Sequence, residues 1–194
     1  QSISPELKRY CAFGSKDFRA THHRYGPMAA MSRVDGTATI TFQSRGAKKF
    51  PHCQEFQKVS VIMKGNGSIN ISTASASYRL TPNFADENMM RTYSVTLPSP
   101  AKQGKLTISG NMDIYGIMLD GKTGVSMDNI PMRGCSGQVF TTLDRGTFAP
   151  FFKQHNVELI ILQYGGNSVP FLSGANSIAL YVEKIKDQIR LLHQ

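Results

Sequence analysis

From Ala38 to Leu119 the apolar residues of this chain recur at every second position, in short runs each broken by Gly, Pro, Asn or Ser. A period of two is the spacing of side chains along one face of a β-strand, and it is incompatible with an amphipathic helix. Ala38, Ile40 and Phe42 alternate with Thr, and Val59, Val61 and Met63 repeat the pattern. Ile69 and Ile71 follow, then Tyr78 with Leu80, Tyr93 with Val95 and Leu97, Leu106 with Ile108, and Ile114, Ile117 and Leu119. Between two of these runs, Gly65-Asn66-Gly67 predicts a hairpin turn, because Gly and Asn tolerate positive φ. Several short strands at this spacing predict an antiparallel β-sandwich, jelly-roll-like, over residues 36–120. Its polar face carries Ser and Thr rather than charge, as a half-exposed strand does without any function attached.

Residues 1–35 have no clear period and read as an irregular lead-in. Ser4 and Pro5 suit the N-cap and first position of a short helical turn. His22-His23-Arg24-Tyr25-Gly26-Pro27 reads as a loop. Adjacent histidines on a strand point to opposite faces, and no carboxylate or third His accompanies these two, so no metal site is expected.

After Asp120-Gly121-Lys122-Thr123-Gly124 the pattern changes. Residues 125–130 read as a short strand, and Met132-Arg-Gly-Cys-Ser-Gly137 as a Gly-rich turn. Residues 147–154 predict a helix with Phe148, Phe151 and Phe152 on one face. Val157-Glu-Leu-Ile-Ile-Leu-Gln163 reads as a buried strand that ends abruptly in Gly165-Gly166-Asn167. Asn176 can cap a last helix whose apolar stripe is Ile178, Val182, Ile185, Ile189 and Leu192. Strand, helix, strand and helix make half of a βαβ arrangement, so the fold class is α+β, with a boundary near residue 120 and a partial α/β segment over 121–194. Two parallel strands are too few for a doubly wound sheet. The segment must pack on the β-domain, pair with a second copy of the chain, or belong to a larger domain.

Composition narrows the partners. Among 194 residues, 40% are hydrophobic and 18% charged, which suits a folded chain. No apolar run approaches the roughly 20 residues that span a bilayer. The formal charge of +9 would suit a polyanion, but the basic residues are scattered, with Lys8-Arg9 and Lys48-Lys49 the adjacent pairs. No aromatic-interleaved basic motif joins them, so a nucleic acid is not the expected partner. Cys11, Cys53 and Cys135 lack C-x-x-C spacing, which argues against zinc. Cys11 and Cys53 could form a disulfide in an oxidising compartment, which leaves Cys135 as a small filler in its turn. Gln1 opens no signal peptide, so the sequence reads as a mature form or an excised piece.

Acyl transfer needs a nucleophile, a base, and donors aimed at the developing oxyanion. A backbone N–H at a glycine and a fixed Asn amide are suitable donors, and Gly137 and Asn167 would each sit just beyond a parallel strand. The order Arg133-Gly134-Cys135-Ser136-Gly137, a helix, then an apolar strand ending Gly165-Gly166-Asn167 resembles the second and third blocks of SGNH (GDSL-type) hydrolases. The phrase from Val125 to Gly137 is similar to bacterial members in which a carbohydrate-binding-module-like β-sandwich is inserted ahead of the second block. The resemblance is sharp over 125–167, weaker over the tail, and architectural only over 20–120.

What the resemblance implies is an esterase acting on an O-acetylated carbohydrate or peptidoglycan, periplasmic or extracellular, without metal or organic cofactor. Gly137 and Asn167 would form its oxyanion hole. The chain departs from the family in two places. The Gly-Asp-Ser block is absent, Phe13-Gly14-Ser15-Lys16 being the nearest approach, and no Asp-x-x-His occurs, His193 lacking the Asp. The nucleophile and base are therefore expected outside this chain, which alone should be inactive. Ser136 has no base to activate it. The alternative is a non-catalytic carbohydrate-binding module, for which Tyr25, Tyr78 and Tyr93 would be a stacking platform if they were not core.

Overall fold

The computed structural model describes residues 7–11, 25–44, 50–81, 89–130 and 136–193. The chain divides into two units, Gln1–Arg9 with Met31–Asn129, and Tyr10–Ala30 with Ile130–Gln194. The expected turn at Ser4-Pro5, the His22-His23 loop and the residues Arg133, Gly134 and Cys135 lie outside the described residues.

The first unit is built on β1 (Leu7–Cys11), β2 (Ala30–Gln43), β3 (Phe56–Ser72), β4 (Ser77–Leu80), β5 (Arg91–Ala101) and β6 (Gln103–Asp120). Their order is β1-β2-β6-β3-β4, with β5 also on β3. The ladders among β2 to β6 are all antiparallel. One edge of β3 pairs with β6 over 58–72, and the other edge is divided, 56–63 going to β5 and 69–72 to β4. The Tyr78 hydroxyl of β4 donates to the Thr96 carbonyl of β5 at 3.2 Å, joining the two strands that share this edge.

The alternation read from the sequence is the core. Val59, Val61, Met63, Ile69 and Ile71 of β3 share one face and pack with Val34, Ala38, Ile40 and Phe42 of β2. Val95 and Leu97 of β5 and Leu106, Ile108, Met112 and Ile114 of β6 complete it. Ile117 and Leu119 also pack on this core, although their numbering has switched from even to odd. The switch is a β-bulge. Ile62 pairs with Gly116 and Met63 with Ile114, so Tyr115 is an extra residue that restores the inward direction of the positions after it. On the opposite face, Arg33 Nε and Nη2 donate to the two carboxylate oxygens of Asp113, directly across the ladder, at 2.7 Å each.

The hairpin expected at Gly65-Asn66-Gly67 is absent: β3 runs straight through these residues. Gly67 pairs with Gly110, and Gly110 pairs on its other side with Gly36. A Cβ on Gly110 would stand 2.5 Å from the Asn66 carbonyl oxygen, and one on Gly67 would collide with the Ser109 carbonyl. The positive φ of these glycines serves a close approach of long strands, not a reversal. A hairpin also needs its two flanking runs to be each other's partners, and here both runs find their partner in β6.

The second unit contains α1 (Phe148–His155), α2 (Ala175–Leu192) and three 3-10 turns, Phe140–Thr142, Arg145–Thr147 and Val169–Phe171. Tyr25, Val139, Phe140, Leu143, Phe148, Phe151 and Leu191 are buried. Phe148 meets Phe140 and Phe152 edge-on, at 6.2 and 5.9 Å between ring centres. The Tyr25 carbonyl accepts from Asp144 N at 3.0 Å. Gln188 is wholly buried, and its side-chain oxygen accepts from Phe140 N at 3.2 Å, which ties α2 to the first of the turns. Asn156 ends α1 in the left-handed conformation, as a C′ residue does.

Several expectations fail in this unit. Residues 125–130 and 157–163, read as strands, belong to no ladder, so the parallel strands of an α/β sheet are not formed among the described residues. Val157–Gln163 is not buried either: Leu159 is 76% and Ile161 74% exposed. Val125 and Met127 are exposed as well, in a stretch that joins no ladder among the described residues. The helix after residue 174 is capped at Gly174, not at Asn176. The Ser177 hydroxyl accepts from Gly174 N at 3.2 Å and lies 2.8 Å from Gly174 O. Its expected apolar stripe is rotated from the packed face, which runs through Tyr181, Ile185, Gln188 and Leu191, leaving Ile178, Val182 and Ile189 exposed beside Leu180. Polar Gln188 holds the most buried position of that face, and sequence periodicity counts it on the wrong side. Val169 and Phe171 in the preceding turn are exposed too. Cys53 is an exposed free thiol, so the disulfide to Cys11 is not made.

Candidate oxyanion site

Gly137 is buried, with φ +85. A Cβ in its place would stand 2.6 Å from Cγ of Tyr164, inside the ring's van der Waals surface. Only glycine therefore fits here on two counts, the left-handed backbone and the ring pressed against its Cα. One residue earlier, the Ser136 carbonyl accepts a hydrogen bond from the Tyr181 hydroxyl of α2 at 3.1 Å. In a trans peptide the N–H points opposite to the preceding carbonyl, so fixing Ser136 C=O on Tyr181 directs Gly137 N–H away from that helix.

Tyr164 leads directly into the second turn. Gly165 has φ +122, and its carbonyl accepts from Ser168 N at 2.8 Å and from Val169 N at 3.3 Å. Asn167 is exposed within that turn, while Ser168 is buried and its hydroxyl has no partner among the described residues. The structure thus brings Gly137 to Tyr164, and Asn167 follows in the turn that Tyr164 enters. Tyr164 and Tyr181 were missed in the sequence. The signal for Tyr181 was its place on the same helix face as Ile185 and Gln188. Tyr164 had only its position ahead of two glycines.

Around these turns the chemistry is sparse. Among the described residues, no cluster of His, Cys, Asp and Glu could hold a metal. The His155 ring lies on Phe151, 4.5 Å between ring centres. His193 terminates α2, its backbone N–H donating to Ile189 O at 3.0 Å. A shallow depression lined by Ser173, Gly174, Ala175, Asn176 and Ser177 comes from one consecutive stretch and carries no ionisable group. The three tyrosines considered for stacking do not form a platform. Tyr25 is fully buried in the second unit, and Tyr78 and Tyr93 pack at the border of the core of the first. No described helix is long and apolar enough to cross a membrane.

No protein-family profile matches this chain, and no curated protein matches its sequence. Among solved structures it is similar to CsCBM6-3 from Clostridium stercorarium in complex with cellobiose, at 12% identity and a TM-score of 0.40, over 63% of this chain and 88% of that one. It is similar to CpGH89CBM32-6 from Clostridium perfringens at 16% identity and a TM-score of 0.31, over 61% and 95%. It is also similar to a family two carbohydrate esterase from Cellvibrio japonicus at 9% identity and a TM-score of 0.34, over 62% of this chain and 34% of that one. At such TM-scores these likenesses carry no functional argument.

Proposed function

We propose that this chain is the oxyanion-binding part of an SGNH-type serine esterase acting on an O-acetylated carbohydrate, such as peptidoglycan, in the periplasm or outside the cell. In this reading residues 121–194 belong to the catalytic domain and residues 36–120 to an inserted β-domain. A Ser supplied from outside these residues attacks the acetyl carbonyl carbon, a His of an Asp-x-x-His block takes its proton, and the sugar oxygen leaves as the alcohol. Water then releases acetate from the acyl-enzyme. The contribution of this chain is electrostatic: Gly137 N–H and the Asn167 carboxamide donate to the carbonyl oxygen as it becomes an oxyanion. Each such donor is worth on the order of 100- to 1,000-fold in rate.

The observation that carries this reading is the seating of Gly137 on Tyr164, which makes neighbours of the two turns that carry the motif residues. The test is hydrolysis of p-nitrophenyl acetate. The chain alone is expected to be inactive, since donors without nucleophile and base leave most of the rate behind. Hydrolysis by the chain alone that Asn167→Ala abolishes would show a complete active site within these residues and end the proposal in this form.

A second reading, a non-catalytic carbohydrate-binding module, draws on one feature of the first unit. The sheet face turned away from the core is hydroxyl-rich where β6 lies between β2 and β3: Ser109 sits between Thr37 and Ser68, Thr107 between Thr39 and Asn70, and Lys105 between Thr41 and Ser72. Thr37 and Ser109 hydroxyls lie 3.0 Å apart, and the Ser77 hydroxyl donates to the Asn70 side-chain oxygen at 3.0 Å. Affinity for acetylated glycan that is lost in Thr39→Val with Thr107→Val, and unaffected by Asn167→Ala, would favour this module reading.

A further inference from the structure

Strands β2, β6, β3 and β4 lie side by side in that order and turn polar side chains to the face away from the core. Across a ladder, opposite charges stabilise a sheet, so a cation with a structural role has a carboxylate beside it. Arg33 has Asp113 in this way. Lys105 and Arg79 do not. The cross-strand neighbours of Lys105 are Thr41 and Ser72, and that of Arg79 is Asn70. Both cations are exposed, and neither forms an ion pair among the described residues. The carboxylates in these rows, Asp35 and Asp113, lie toward the other end of the face, opposite Asn111 and Arg33. From strand spacing, the Cα atoms of Lys105 and Arg79 stand roughly 12 Å apart, two strands across and one side-chain repeat along. Between them β3 places Asn70 and Ser72, and Thr107 and Thr39 continue the Asn70 row. The Ser77 hydroxyl holds the Asn70 carboxamide by its oxygen, so the NH2 is the end left to donate.

We infer that this face binds a polysaccharide that carries carboxylates along its length. Lys105 and Arg79 each take a carboxylate, and Thr39, Thr107, Asn70 and Ser72 hydrogen-bond the sugar hydroxyls between them. The inference rests on the carbohydrate-binding reading of this face given above and names its ligand class. Uncharged hydroxyl and amide groups suit sugar hydroxyls, which are donors and acceptors at once. The two unopposed cations add a demand that a neutral glycan does not meet. A single-stranded nucleic acid is also a polyanion, but its bases are held by stacking on aromatic side chains, and no residue in these rows is aromatic. The separation of the cations calls for a chain. A single uronate engages one of them, whereas a polymer engages both, the second contact then being intramolecular.

The probes are polygalacturonate and peptidoglycan, each also with its carboxylates converted to neutral amides. Calorimetric titration reads the first and cosedimentation the second, with the whole chain. At least one acidic polymer is expected to bind, about 10-fold or more tighter than its amidated form and than monomeric galacturonate. Lys105→Gln and Arg79→Gln are each expected to weaken that binding about 3- to 5-fold, and together by about 10-fold or more. Both side chains are exposed, so the thermal midpoint should not move. Lys122→Gln removes the same charge beyond the opposite end of β6 and is expected to change affinity less than about twofold. A Lys122 effect equal to that of Lys105 would show attraction by net charge alone and overturn the site. Tighter binding of oligothymidylate through Lys105 and Arg79 would overturn the polysaccharide as occupant. If amidated polymers bind as tightly as acidic ones, and Thr39→Val with Thr107→Val abolishes both, the carbohydrate-binding reading stands and this inference falls. If no polymer binds, both fall.

Discussion

Gly67 of β3 lies directly opposite Gly110 of β6, and neither position has room for a side chain. Gly110 in turn faces Gly36 of β2, so a row of three glycines crosses the sheet where its longest strands would otherwise collide. The obstruction at Gly67 and Gly110 is backbone, which cannot swing aside as a side-chain tip can. Gly110→Val and Gly67→Val are therefore expected to lower stability by about 2–4 kcal/mol each, with loss of soluble yield. Gly36 has φ +102 and open space around its missing Cβ, so Gly36→Ala should cost only the backbone term, about 1 kcal/mol. Urea unfolding followed by far-UV circular dichroism checks the order, and a Gly36 variant as damaging as the other two would refute the steric account.

Gly137 gives a parallel case in the second unit. Gly137→Ala pushes a methyl into the Tyr164 ring and is expected to destabilise by about 2–3 kcal/mol. Tyr164→Ala removes the ring carbons but keeps a Cβ 2.7 Å from the added methyl, so the double variant should recover part of the loss and not all of it. A coupling of at least about 1 kcal/mol in the double-mutant cycle is the expected outcome, and strict additivity would mean that the ring is not what excludes the side chain.

The Arg33–Asp113 pair is asymmetric. The Asp113 side chain is 10% exposed and that of Arg33 40%. Removing the guanidinium strands a buried carboxylate, whereas removing the carboxylate leaves a cation that can reach water. Arg33→Met should therefore cost more than Asp113→Ala, by about 1 kcal/mol, with Arg33→Met itself near 2–3 kcal/mol. Chemical denaturation of the two variants decides it, and the opposite ranking would show that Asp113 is better solvated than its burial implies.

Alkaline stability carries a signature of Tyr93. Burial raises its phenol above the ordinary 10.0, although the nearby Arg91 pulls the other way. A raised value means that the folded state holds the proton more tightly than the unfolded state does. The stabilisation is fully present below pH 10 and is lost as pH climbs through the higher folded-state value. Tyr93→Phe should remove that component, so its thermal midpoint should fall less steeply than the parent's above pH 10. Equal slopes would place the Tyr93 hydroxyl in water in the folded chain.

The alternation legible from Ala38 to Leu119 named most of the core of the first unit, though not Val34, Phe56 or Met112, because a half-buried strand must put every second side chain inward. Where the strands begin and end was less legible. Gly65-Asn66-Gly67 carries the local chemistry of a reversal, and the deciding fact, Gly110 opposite Gly67, lies more than forty positions away in the chain. In the second unit the helix of Phe148–His155 was readable from three phenylalanines on one face. The packed face of Ala175–Leu192 was not, since it is centred on a buried glutamine that satisfies Phe140 N. For the candidate site, local sequence marked both turns but not the tyrosines that position Gly137, because their contacts are tertiary.

Tyr115 leaves a constraint of number on β6. Each position beyond it points inward only because one unmatched residue has already been counted. Deleting that residue would rotate the rest of the strand by half a turn and move Ile117 and Leu119 off this core to the sheet face that Met118 and Ser60 now occupy, whatever side chains they carried. Point changes along this strand are thus open to ordinary selection on shape and polarity. Single-residue insertions and deletions between Ile114 and Asp120 are closed to it, and related chains should differ there in spelling and agree in length.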